Sequence, residues 1–276
     1  MKSYVTLVCF LTSPKVRSTS FFSTTVSRSI MAKRSASSSS TASKKPRQDT
    51  EEFVPWYYCF TKGDEDYNRY MATEWSFEKR GDQALLEKIC LEGAQSGLSW
   101  QTILRKREAY RRTFFNFDPE KVANMTPQDV QKILDTTGGE PTDTIVRHRG
   151  KIEATINNAK CLLQMQKEEG ADNALDRFLW SFVDNKPILN RWGSNFNARD
   201  PGAIRACPSK SPESEAMSKA LKKKGWKFVG PTTCYAMMQS CGMVIDHPIN
   251  SPEWEAARHR LLQRKGGFQD PNGKSK

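Results

Sequence analysis

Ordered cysteine pairs are missing from this 276-residue chain. Seven cysteines occur, at Cys9, Cys59, Cys90, Cys161, Cys207, Cys234 and Cys241. The odd number, irregular spacing and lack of any CxxC pair exclude a disulfide scaffold and fit free thiols in a reducing compartment. Histidine is scarcer: only His148, His247 and His259 are present. No Cys/His set has zinc-finger spacing, and isolated cysteines of this kind are more often core residues than ligands. Apolar runs long enough to span a bilayer, ~18 residues or more, do not occur, so no transmembrane helix and no membrane partner are expected.

Acidic residues are absent from Met1 to Gln48, a stretch carrying nine Lys or Arg. The remainder carries 34 basic and 31 acidic residues. The formal charge of +12 therefore comes mostly from the tail. Charge by itself is weak support for nucleic-acid binding by the body. Residues 1–50 read as a disordered targeting tail. Its Ser/Arg bias fits a mitochondrial or plastid transit peptide. A second address follows Met31: a Ser run and then Lys44-Lys45-Pro46-Arg47, a cluster of nuclear-signal type. Two products are expected from this arrangement, a long organellar form and a nuclear form starting at Met31.

Alternating strand patterns are also lacking, whereas helical periodicity recurs from Thr50 onward. Asp82 is placed to cap a helix bearing Leu85, Leu86 and Ile89. Ser99 caps a second, running through Ile103 and Leu104 to Phe114, and Thr126-Pro127 opens a third. Ile152, Ile156, Ala159 and Leu163 mark a long helix within 145–166. Others are expected over 174–183, from Ser211-Pro212 to Gly225, from Gly230-Pro231 to Gly242, and over 252–263. Residues 185–209 read as loop. The expected architecture is all-α: a single compact domain of seven or eight helices over 51–265. A disordered targeting tail precedes it and a disordered basic C-terminus, 266–276, follows.

The stretch from Cys90 to Trp100 is the most informative. Glu92 ends an apolar helix, Gly93 and Gly97 permit a bend or close ligand approach, and Trp100 follows. A carboxylate beside an indole suits a flat cationic ring. Tyr67, Tyr70, Glu74 and Trp75 offer further walls, although aromatics at helical spacing are usually core residues. A second stretch, Ile145 to Ile152, places Arg147, Arg149, Gly150 and Lys151 after a loop with Gly138 and Gly139. It reads equally as a phosphate-binding helix start or as a solvated basic one.

Several strings together resemble the DNA-3-methyladenine glycosylase I family over residues 59–246. They are Glu74-Trp75, Ile89-Cys90-Leu91-Glu92-Gly93, Gly97-Leu98-Ser99-Trp100, Phe117-Asp118-Pro119, Arg147-His148-Arg149-Gly150-Lys151, Phe178-Leu179-Trp180-Ser181-Phe182-Val183, Ser218-Lys219-Ala220-Leu221, Lys227-Phe228-Val229-Gly230, and Cys234-Tyr235 through Cys241-Gly242. The resemblance implies a helix-hairpin-helix DNA glycosylase. Its substrate would be double-stranded DNA carrying alkylated adenine, from which N3-methyladenine is flipped out and hydrolytically released.

The resemblance also implies roles. Glu92 is the catalytic, base-recognising carboxylate. Trp100, Tyr70, Tyr67 and Trp75 bind the base. Gly97-Leu98 form the wedge that fills the vacated space, and Arg147, Arg149, Gly150 and Lys151 hold the DNA backbone. No cofactor is implied, and a monomer is expected. Bacterial members tie their termini with zinc through two Cys and two His. Here Cys59 and His247 stand at two of those places, while Met71 and Ser251 occupy the others. A thioether and a hydroxyl are poor zinc ligands, so no structural zinc is expected. Residues 139–143 resemble an insertion in the hairpin. Two rival activities remain: strand cutting through an amine such as Lys151, and a non-catalytic DNA-damage-binding module on the same scaffold.

Overall fold

The computed structural model describes residues 54–137, 139–140, 142–193 and 207–271, all within one structural unit. The expected tail over 1–50, the start at Met31 and the cluster at 44–47 lie outside the described residues, as do Gly138, Pro141 and 272–276. Among the described residues the chain is helical. The order is α1 (Tyr58–Thr61), α2 (Glu65–Thr73), α3 (Asp82–Gln95), α4 (Trp100–Arg105), α5 (Arg107–Thr113), a 3-10 turn (Phe115–Phe117), α6 (Pro119–Ala123), α7 (Pro127–Asp135), α8 (Arg149–Glu169), α9 (Ala174–Ser181), α10 (Pro212–Lys223), α11 (Pro231–Ser240) and α12 (Pro252–Leu262). Twelve α-helices thus replace the expected seven or eight. The excess comes from short pieces: the helix expected from Ser99 to Phe114 is split at Lys106 into α4 and α5.

Helix α3 is the structural axis. Apart from Glu87, every residue from Leu85 to Gln95 is buried. A helix apolar on nearly all sides must be enclosed by other elements. Here α8, α9 and α11 supply the enclosure. Helix α11 is itself buried from Thr233 to Ser240, so α3 and α11 form an inner pair with the other helices around it. Gly93 does not mark a bend: it lies inside α3, where a Cβ would meet Phe228 Cβ at 3.0 Å. The glycine lets the 225–230 loop lie against the helix.

Local chemistry sets most helix starts as expected. Thr126 and Asp129 form a capping box with Pro127 in the first turn, Ser211 caps α10, and Ser99 accepts from Thr102 N at 3.2 Å. Asp82 departs from expectation. It is the first residue of α3, and its carboxylate serves a different helix: Oδ1 accepts from Asp176 N at 2.9 Å and Oδ2 from Gln166 Nε2 at 2.8 Å. In return Asp176 Oδ2 accepts from Gly81 N at 2.6 Å. The starts of α3 and α9 therefore cap each other, each carboxylate facing the positive end of the other's dipole.

The long helix begins at Arg149, not at Ile145, with His148 as its cap. The segment read as loop contains β1 (Ile188–Leu189), which pairs in parallel with β2 (Val244–Ile245); Ile188 faces Val244 and Leu189 faces Ile245. Residues 194–206 of that segment lie outside the described residues. The C-terminal boundary also needs correction. Leu189 N donates to Gln269 O at 2.8 Å, Gln269 N donates to Pro187 O at 2.8 Å, and Arg191 pairs with Asp270 at 2.6 Å. Backbone pairing thus carries the folded body to Gln269, and the Arg191 pair to Asp270, past the expected end at 265.

Replacing Asp82 with Ala should cost about 2 kcal/mol, because it strips the cap from α9 and leaves Gln166 without its acceptor. Urea unfolding measures this; a loss below about 0.5 kcal/mol would contradict the reciprocal cap.

Candidate active site

Glu92 lies one turn before the end of α3, its side chain wholly enclosed. Ser240 Oγ, from the end of α11, donates to Glu92 Oε1 at 3.1 Å. Lys88, one turn earlier on α3, brings its Nζ to 3.1 Å from the same oxygen. Glu92 Oε2 is buried and has no hydrogen-bond partner among the described residues. A buried carboxylate oxygen without a donor is costly and marks a place where a ligand's donor would be welcome.

Lys88 joins this carboxylate to the aromatic wall. Its ammonium lies 4.0 Å from the Trp100 ring centroid and 5.1 Å from that of Tyr70, and donates to Tyr70 Oη at 2.8 Å. The Tyr70 and Trp100 rings stand 5.2 Å apart, tilted by 41°. Tyr67 packs behind Tyr70 at 6.3 Å. Burial, reinforced by the Glu92 charge, pushes both phenols far above their usual range, so both remain neutral donors. Glu92, Trp100, Tyr70 and Tyr67 are therefore gathered at one place. The Lys88 ammonium contacts both Glu92 and the Trp100 ring and so links them.

A narrow cleft of about 20 Å³ opens beside this group, lined among others by Tyr70, Lys88, Leu91, Trp100 and Ser240. Its mouth is edged by charge pairs: Glu74 with Arg107 at 2.6 Å, and Glu87 with Arg111 at 2.8 Å. Burial raises the Glu74 pKa, but the Arg107 hydrogen bonds and charge outweigh it and hold the carboxyl below its ordinary value.

Trp75 stands apart from Trp100 and Tyr70. Its indole stacks edge-on against His247, with ring centroids 5.0 Å apart, and tilts against Trp56 at 5.7 Å. Like Glu92 and Tyr67, it is not among the residues lining the cleft. The places compared with a zinc site are occupied by other bonds. Trp56 Nε1 donates to His247 Nδ1 at 3.1 Å, Cys59 Sγ donates to Trp56 O at 3.2 Å, and Ser251 caps α12. Met71 is buried in the core.

Gly97 and Leu98 form the turn leaving α3. Gly97 has φ +78° with open space around it, and Leu98 is half-buried. Between this turn and the loop before α8 runs an open groove of about 440 Å³, which reaches Lys106, Ile145 and Arg147. Arg147 donates to Thr136 O and Arg149 to Gln131; both arginines remain exposed. Gly150 is in the first turn of α8, where a Cβ would press on the His148 ring at 3.2 Å. Lys151 departs from the outward-facing role. Its ammonium turns inward and donates to Ala94 O and Ser96 O, each at 2.7 Å, and so satisfies free carbonyls at the end of α3. This bonding suits neither a phosphate contact nor an amine nucleophile.

Known proteins were compared with this fold and site. The methyladenine glycosylase family profile matches residues 60–253. The chain is similar to the DNA-3-methyladenine glycosylase of Haemophilus influenzae, with 46% identity over 186 residues, covering 67% of this chain and 91% of that protein. It is 44% identical over 183 residues to DNA-3-methyladenine glycosylase 1 of Escherichia coli, covering 66% of this chain and 88% of that protein. A solved structure of 3-methyladenine DNA glycosylase I from Staphylococcus aureus, which addresses 3-methyladenine recognition, superposes with a TM-score of 0.59 at 32% identity, covering 69% of this chain and 92% of that one.

His247 provides a pH test of the packing beside the site. Burial, with repulsion from Arg260, pushes its pKa down from 6.5 to about 3. The unfolded chain therefore binds this proton below about pH 6.5 while the folded chain refuses it. The resulting stability is complete above that pH and drains away as pH falls towards 3. Lowering pH from 7 to 5 should remove about 2 kcal/mol through this residue. Chemical denaturation of the native chain and His247→Gln at both pH values isolates the effect; equal pH slopes would show that His247 is not held neutral.

Proposed function

The chain belongs to the methyladenine glycosylase family, and on that premise we propose how its own residues carry out the reaction. It is a DNA-3-methyladenine glycosylase, a hydrolytic enzyme of base-excision repair that acts on alkylated DNA. No helix among the described residues is long and apolar enough to cross a membrane.

A base inside a duplex is out of reach, so it must be turned out of the stack at a cost of roughly a few kcal/mol. Gly97 and Leu98 are suited to occupy the gap, since the exposed turn carries an apolar side chain on a backbone that only glycine adopts easily. Arg147, Arg149 and the start of α8 are the backbone contacts, and Lys151 holds that helix to α3. Methylation at N3 gives adenine a positive charge and weakens its bond to the sugar. The leaving base then needs little protonation. The site has to recognise a flat cation and stabilise the positive charge that develops on the sugar as the bond breaks. Trp100 and Tyr70 supply the flat wall, and Glu92 the negative charge. Water completes the hydrolysis and gives a free base and an abasic sugar. We assign the enzyme as a monomer.

The observation that carries this reading is the enclosed Glu92 carboxylate with one oxygen unbonded, set beside an aromatic wall. Glu92→Gln and Trp100→Ala should each reduce release of N3-methyladenine from methylated DNA by roughly a hundredfold or more, with no borohydride-trapped adduct in any variant. Full base release by both variants would remove the assignment. Tight binding of methylated DNA without release by the native chain would favour a damage-binding module.

We assign the basic, acid-free tail to two addresses, an organelle (mitochondrion or plastid) for the full chain and the nucleus for a product starting at Met31. Fluorescent fusions of the two starts should localise differently; identical localisation removes the proposal.

A further inference from the structure

Lys88 has no part in the reaction as described, yet it occupies the middle of the site. It is a buried cation, with a side chain only 6% exposed. It makes the three contacts that a positively charged base would need: a carboxylate oxygen of Glu92 at 3.1 Å, the Trp100 ring at 4.0 Å, and the hydroxyl of Tyr70 at 2.8 Å. An ammonium at that distance from an indole face uses the ring's negative potential. A flat base stacked on that face would need the same space. With Lys88 in place the slot is also electrically neutral, because Glu92 is already paired. The slot thus contains an internal stand-in for the charge of its ligand.

From this we propose that Lys88 is a specificity-determining residue, a resident cation that any arriving base must move off the Trp100 face but that only a cationic base must also displace from Glu92. Its stem has four carbons, and the carboxylates of Glu74 and Glu87 line the same cleft. Glu74 already feels the Lys88 charge. Displacement exchanges one cation at Glu92 for another, so the attraction gained by a cationic base is largely cancelled by the attraction Lys88 gives up. A neutral base loses comparatively little. Lys88 therefore narrows the enzyme's preference for charged over neutral bases, widening the range of bases the slot admits. This inference rests on the assignment of Glu92 and Trp100 as the base slot.

The test uses two free-base probes as competitive inhibitors of base release: N3,N9-dimethylated adenine, a fixed cation in neutral solution, and neutral 3-methyladenine. In Lys88→Met, which keeps the length and bulk of the stem without its charge, the ratio of the two inhibition constants should shift at least tenfold towards the cation. A ratio within twofold of that of the native chain, in a variant with an unchanged melting temperature, overturns the proposal. A general packing defect would weaken both probes together and leave the ratio unmoved. If Lys88→Met does not fold, one readout on the native chain, assigned with Lys88→Gln, decides. The lysine side-chain NMR signal absent from Lys88→Gln must shift when 3-methyladenine is added to the native chain, and its failure to shift overturns the proposal. The slot assignment is separated by Glu92→Gln: if that variant binds both probes as the native chain does, the assignment has failed; if it loses the cation while Lys88→Met leaves the ratio unchanged, only the role of Lys88 has.

Discussion

The fold is organised around a carboxylate held out of water. Burying an ionised side chain costs several kcal/mol unless charges and donors surround it. Glu92 is enclosed at the end of a helix that is itself enclosed, and the structure compensates with a cation from the same helix and a hydroxyl from the crossing one. This requirement explains why α3 and α11 form the inner pair, why Ser240 stands where α11 ends, and why the wall beside Lys88 is aromatic. It also explains the oxygen left without a donor. Complete satisfaction would make a stable core, whereas incomplete satisfaction makes a site.

Much of this arrangement was legible in the sequence because it is local. Thr126-Pro127, Ser99 and Ser211-Pro212 write helix starts into four or five consecutive residues, and the structure has helices beginning there. The family resemblance carried the fold and the reaction, through strings whose order and spacing are specific. What escaped is non-local. Asp82 reads as a cap for its own helix, but its carboxylate bonds to Asp176 and Gln166, 94 and 84 residues away. Two-residue strands such as Ile188–Leu189 are too short to carry a period. Trp75 sits beside Glu74, which is at the cleft, yet its ring belongs to a different cluster.

Lys88 shows how a signal can be present and unread. A lysine four residues before the key glutamate stands among Leu85, Leu86, Ile89 and Leu91 on an otherwise largely apolar stretch of helix. Helical spacing of four places the two side chains together, and the apolar company implies that they meet away from water. Helical periodicity marks the core face, and a charge on that face points to a buried partner. Lys151 shows the converse. Its basic neighbours suggested DNA, whereas the decisive fact is the pair of carbonyls at the end of α3, which no string of residues around 151 reveals.

That clasp fixes a length. Lys151 ties the first turn of α8 to the last turn of α3, and Glu92 is carried on that same α3 segment. The segment proposed to hold the DNA strand and the one proposed to receive the base are therefore joined in one piece, like the jaw and anvil of a gauge.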